Sequence, residues 1–138
     1  RKSICGQVLI YPVTEHYTAG FASYVERAGG QTLTAGVMHW FWDTYLGGLS
    51  PTGASVQRAF PLRASRLAFM PPALLVTAEK DPLRDEGIEF YRLLLRAGVP
   101  ARCRQVMGTI HGTEIFPVAC PDISRDTAAD LAKFCREG

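Results

Sequence analysis

The sequence holds no apolar run approaching the roughly 18 residues that a membrane-spanning helix needs, so no such helix is expected. It also lacks an excess of either charge, since 15 Lys and Arg against 13 Asp and Glu leave a formal net charge of +2. A nucleic-acid binder held by a dense basic face is thereby excluded, as is an acidic disordered tail. Cysteine is sparse, 4 in 138 residues, with no C-x-x-C pair. Zinc sites want closely spaced ligand pairs, and disulfide scaffolds are short and Cys-dense. Cys5, Cys103, Cys120 and Cys135 are therefore expected to be buried or inert free thiols in a reducing, cytoplasmic compartment. An initiator Met is missing, as is an apolar secretory leader; the opening Arg1-Lys2-Ser3-Ile4 leads us to expect a true start further upstream. Repeats and low-complexity stretches are absent. What remains, 47% hydrophobic and 20% charged, is ordinary for one globular domain of this length.

Three stretches read as strands of a parallel sheet. Val8-Leu9-Ile10-Tyr11, stopped by Pro12, and Ala73-Leu74-Leu75-Val76-Thr77-Ala78, entered through Pro71-Pro72, are continuous apolar runs of the kind covered on both faces. Ala101 to Val106 alternates small or apolar with polar residues, as a half-exposed strand does, with Arg102 and Arg104 on the open face. Between the second and third strands the spacing predicts a helix from Asp85 to Ala97. Asp85 is its expected cap, Gly98 its stop, and Ile88, Tyr91, Leu94 and Leu95 its apolar face. Strand, helix and strand form a βαβ unit with parallel strands and a right-handed crossover. A last helix, Ile123 to Arg136, presents Ile123, Ala128, Leu131, Ala132 and Cys135 inward, with Asp122 or Ser124 as cap. Residues 14–70 form a long excursion with one convincing helix, Thr34 to Leu46; insertions of this length are usually lids or caps over a site.

In open parallel sheets functional groups gather past the C-terminal ends of the strands. Asp81 follows the second strand and His111 the third, on loops whose parent strands pair about 5 Å apart. A carboxylate there can fix an imidazole's tautomer while the imidazole acts as general base and then acid. By themselves the two residues fit equally a turn aspartate before Pro82 and a solvated loop histidine.

Tyr11-Pro12 after an apolar strand, the block Pro71-Pro72 through Asp81-Pro82-Leu83-Arg84-Asp85-Glu86-Gly87, Ala97-Gly98-Val99-Pro100 and Ile110-His111-Gly112 together resemble the C-terminal part of the bacterial hormone-sensitive-lipase-like carboxylesterases. The resemblance runs over nearly the whole chain. It implies the C-terminal portion of an α/β-hydrolase fold: three mainly parallel strands, crossover and flanking helices, and a cap-like helical insertion. Residues 14–70 would be the cap, and residues 71–138 would carry the βαβ unit and last helix of a single partial domain. It further implies Asp81 as triad acid and His111 as triad base, with Met38 and Phe41 facing a small-molecule ester and no cofactor or metal needed. Trp40, Trp42 and Tyr45 are expected to pack as core around them.

That family orders its triad as Ser, acid, His, with the Ser on a G-x-S-x-G elbow. No such elbow occurs here; Gly53-Ala54-Ser55-Val56-Gln57 lacks the closing Gly, and the H-G-G-G oxyanion loop is absent too. The chain alone is therefore expected to be inactive on esters. Two departures from the family stand out. Thr113 after His111-Gly112 is expected to loosen the His loop or open the pocket, and Phe60, where a small Ser is common, to alter the entry rim. His39 and Asp43, four apart on a helix, have no evident third metal ligand and read as a solvated face. His16 beside Glu15 has no nameable partner. The first strand wants neighbours on both edges, so the alternative function is a non-catalytic, self-associating module that pairs through that edge. A flavodoxin-like binding domain is disfavoured because no Gly-rich phosphate loop follows a strand.

Overall fold

The computed structural model describes residues 4–137. Strands β1 (Gln7–Ile10), β2 (Ala73–Lys80) and β3 (Ala101–Ile110) form one parallel sheet in the order β1-β2-β3. Helices α1 (Ala22–Glu26) and α2 (Ala35–Leu46) lie in the excursion, α3 (Arg84–Arg96) makes the crossover, and α4 (Pro121–Glu137) ends the chain. The α/β fold read from the sequence is thus the one observed.

Strand bounds differ from expectation for local reasons. Tyr11 is not in β1: its φ is 52°, in the left-handed region, and the strand ends at Ile10. β3 runs four residues beyond Val106. The register pairs Ala78 with Val106 and Lys80 with Ile110, so three residues of β3 stand opposite Glu79 alone. Gly108, with φ 76°, supplies the turn inside this bulge. Among the described residues β1 pairs with β2 alone, which leaves its other edge open as expected.

The buried stripe of α3 is Glu86, Gly87, Phe90 and Leu94, with Tyr91 half-buried; Leu95, expected inside, is exposed. The helix starts one residue earlier than predicted, and Ile88, also expected inside, is half-buried. Gly87 is needed for packing, since a Cβ there would lie 3.0 Å from Thr77 on β2. Asp85 does not cap α3. It accepts from the backbone N–H of Ser23 at 2.8 Å, and so satisfies an orphan donor in the first turn of α1 instead. On α4, Thr127 is buried and Ile123, Leu131 and Phe134 are half-buried, whereas Ala128, Ala132 and Cys135 face solvent. Arg104 is no bare surface residue: it pairs with Asp130 at 2.7 Å and holds α4 to β3. Arg102 is exposed as expected. All four cysteines are free, but none is buried: Cys5 and Cys135 are exposed, Cys103 and Cys120 half-buried.

The apolar interior falls into two clusters. One joins Leu75 and Ala73 of the sheet to Phe90 and Leu94 of α3, with Val99 and Leu67. The other lies within the excursion, where Tyr24, Met38, Trp42, Leu46 and Phe60 meet Leu83 at the start of α3. Thr34 caps α2 through its side chain, and Gly47 ends it at φ 58°.

Candidate active site

Asp81 is the first residue after β2 and is 1% exposed. Its Oδ1 accepts from the Leu83 N–H at 2.9 Å, which leaves Oδ2 facing His111 Nδ1 at 2.8 Å. An ionised carboxylate only accepts, so Nδ1 carries the proton and Nε2 presents the lone pair. That is the orientation a general base requires. The two sequence-predicted residues are therefore in direct contact, on loops of adjacent strands.

The His111 loop is held from three sides. The Glu79 carboxylate accepts from the Gly108 N–H at 2.6 Å and closes the bulge. Thr113 Oγ1 donates to the Ile110 carbonyl at 2.7 Å and accepts from the Ile110 N–H at 3.1 Å. Thr113 thus ties the loop rather than loosening it, against the first of the two expected outcomes, because its hydroxyl is buried and doubly bonded. From the excursion, Thr32 Oγ1 donates to the His111 carbonyl at 2.6 Å. The Tyr11 ring lies 5.0 Å from the imidazole, tilted by 44°.

His111 opens onto an apolar cavity of about 470 Å³, walled by Met38, Phe41, Trp42, Tyr45 and Leu83 among others. Met38 and Phe41 both line this cavity, Met38 buried and Phe41 half-open to solvent. Of the three residues assigned to the core, Trp42 is buried, but Trp40 and Tyr45 are exposed at 62% and 73%. An almost uniformly apolar helix gives no periodicity to separate its inner and outer faces. Phe60 is not at an entry rim. It is 1% exposed, 5.1 Å from the Trp42 ring, with the Arg63 guanidinium 4.0 Å over its face.

His39 and Asp43 are exposed, as read; His39 stacks on Tyr17 at 4.0 Å, and Asp43 accepts from the Tyr17 hydroxyl. Among the described residues no three His, Cys, Asp or Glu side chains gather at metal-binding range, and no helix is long and apolar enough to cross a membrane. His16 does have partners. It is buried, bonds Thr18 Oγ1 through Nδ1 at 2.8 Å and packs on Tyr17 and Trp42. Burial, helped by Arg63, pushes its pKa below the usual 6.5.

Sequence reasoning missed Glu86. It is fully buried, and its carboxylate accepts from the Glu15 N–H at 2.7 Å, the Thr14 N–H at 3.1 Å and the Tyr24 hydroxyl at 3.3 Å. Burial outweighs these bonds and raises its pKa to about 8. The same desolvation, with Glu86 opposite, pushes the Tyr24 phenol well up. The signal was available: Glu86 shares helical spacing with Leu83, Phe90 and Leu94. Beside it, burial works to raise the Asp85 pKa, but hydrogen bonds from Arg84 and the Ser23 backbone win and hold it below the usual carboxyl value.

Residues 1–115 match the family described as alpha/beta hydrolase fold. The chain belongs to that family. Among curated relatives of this hydrolase-fold chain, an ethyl acetate hydrolase of Pseudomonas putida is 36% identical over 106 residues, 76% of this chain and 32% of that protein. A carboxylesterase of Mycobacterium tuberculosis is 32% identical over 132 residues, 94% of this chain and 41% of its own length. A hyperthermophilic esterase from the archaeon Pyrobaculum calidifontis superposes with a TM-score of 0.83 at 37% identity, covering 94% of this chain and 42% of that one. This hydrolase-fold chain thus spans about a third to two-fifths of these three relatives, which are ester hydrolases by name.

Proposed function

We propose that this chain is the acid- and base-bearing part of a serine carboxylesterase, of the bacterial hormone-sensitive-lipase-like kind that its motifs resemble. Asp81 acts as triad acid and His111 as triad base. The observation that carries the reading is the 2.8 Å contact between a 1%-exposed carboxylate and an imidazole that opens onto an apolar cavity. No G-x-S-x-G elbow occurs in the 138 residues, so the nucleophilic serine belongs to chain outside them. His111 Nε2 takes the proton of that serine as its Oγ attacks the ester carbonyl, and Asp81 stabilises the imidazolium through Nδ1–H. The imidazolium returns the proton to the departing alcohol. Water, deprotonated by the same Nε2, then releases the acid.

The cavity wall is mostly apolar and carries no charged side chain besides the titratable His111, which fits an uncharged short- to medium-chain acyl group against Met38 and Phe41. Residues 14–70 serve as the cap over it, within a single partial domain that needs no cofactor or metal. The four unpaired thiols fit a reducing compartment, the cytoplasm. A second reading, self-association through β1, is supported by that strand's unpaired edge. The test is hydrolysis of a short p-nitrophenyl ester by the 138-residue chain and by a form extended upstream. We expect turnover in the extended form alone; activity in the short form overturns the placement of the nucleophile. A monodisperse monomer in sedimentation overturns the second reading.

A further inference from the structure

We infer that Tyr11 is a positioning residue that fixes the orientation of the His111 imidazole, an inference that rests on the proposed role of the Asp81–His111 pair. A hydrogen bond at Nδ1 holds one edge of the ring, yet the terminal torsion of histidine is soft and nearly two-fold. A second contact on the ring face is needed to stop the imidazole swinging about that bond. Tyr11 supplies it, with its ring centroid 5.0 Å from that of His111 and the planes tilted by 44°.

One feature of Tyr11 is unexplained by plain packing. Its φ of 52° is the one positive value at a non-glycine among the described residues, a conformation that a side chain with a Cβ rarely adopts. The backbone is pinned there from both sides: the Tyr11 N–H donates to the Val76 carbonyl at 2.8 Å, and the next residue, Pro12, lies against Gly87 of α3. The turn carries the ring off the line of β1 and onto the imidazole. Strained backbone persists only where surrounding structure over-determines it, and it clusters at functional sites.

The test uses the 138-residue chain with 15N-labelled histidine, in wild-type, Tyr11→Phe, Tyr11→Leu and Asp81→Asn forms. The readout is the His111 Nδ1 proton: its resonance, and its exchange with water. Wild type shows a slowly exchanging Nδ1–H that is lost in Asp81→Asn. Tyr11→Leu keeps the Nδ1–H but speeds its exchange about three- to tenfold, the scale of an aromatic pair's contribution beyond buried area. Tyr11→Phe restores the wild-type rate, because the ring is retained. Equal rates in wild type and Tyr11→Leu, or a Phe variant as fast as Leu, overturn the inference while leaving the Asp81–His111 pair intact. A wild-type His111 protonated at Nε2 alone overturns the pair reading and this inference with it. Should Tyr11→Leu fail to fold, wild type decides: nuclear Overhauser contacts between the Tyr11 ring and the His111 ring protons are expected, and their absence overturns the inference.

Discussion

The βαβ unit of residues 73–113 and the excursion of residues 14–70 are built on different principles. In the first, backbone ladders and an amphipathic helix do most of the work: β2 pairs on both sides, and Phe90 and Leu94 of α3 close over Leu75. In the second, two α-helices and several short turns surround their own apolar cluster. Its attachment to the first depends on buried side chain to backbone bonds. Glu86 takes the N–H groups of Thr14 and Glu15, Asp85 takes that of Ser23, and Ser23 Oγ donates to the Pro82 carbonyl at 2.6 Å. Asp81 and His111 both lie on the ladder-built side, while the cavity wall of Met38, Phe41 and Trp42 comes from the other. The Asp81–His111 contact is therefore placed by topology, and the pocket by a handful of polar latches.

The sharpest way to break the contrast is to empty the core between sheet and α3. Phe90→Ala removes an aromatic side chain that is 3% exposed and is expected to cost about 3–5 kcal/mol, seen as a lowered urea midpoint for the whole chain. A loss confined to the excursion would contradict the division into two cores.

The next effect is pH dependence at the seam. Glu86 has its folded pKa raised from 4.5 to about 8, so between these values the folded state binds more protons than the unfolded one. Stability from this group is fully present below about pH 4.5 and is lost as pH rises through about 8, by a few kcal/mol in all. His16, held below 6.5 by burial, tilts the other way at lower pH, so the fall is cleanest above pH 6.5. Thermal melts across this range should show it, and Glu86→Gln should flatten it. A Gln variant with the wild-type slope would contradict the assignment.

Ser23→Ala removes a fully buried hydroxyl that bonds the Pro82 carbonyl and accepts from the Asp85 N–H; about 1–2 kcal/mol of lost stability is expected in the same melts. Smallest is Trp40→Ala, which should stay within about 0.5 kcal/mol because the indole is 62% exposed. A larger loss would mean that the outer face of α2 is covered in solution.

The same contrast decides how much could be read from the amino acids. Apolar runs and a helix of period 3.6 mark β1, β2 and α3, and the order strand–Asp81, strand–His111 puts the two residues on neighbouring loops, while their pairing is implied only by the family resemblance. Where placement depends on latches rather than periodicity, reading failed. Asp85 looked like a cap for its own helix because its partner Ser23 lies 62 residues away. Glu86 passed unnoticed although its spacing put it on the buried stripe. Trp40 and Tyr45 resembled Trp42, since α2 is apolar on most of its circumference and sequence does not say which side meets Phe60. Thr113 was misjudged because a hydroxyl that folds back on Ile110 has no signature in composition.

The claim that Asp81 and His111 act as one unit is tested most directly by a double-mutant cycle in the upstream-extended form. Asp81→Ala, His111→Ala and the double variant are compared by kcat on a short p-nitrophenyl ester, with melts to confirm folding. Groups that work together are grossly non-additive, so each single variant should lose about 10⁴-fold or more and the double variant little beyond the worse single one. Losses that multiply, or an Asp81→Ala enzyme near wild-type rate, would contradict it.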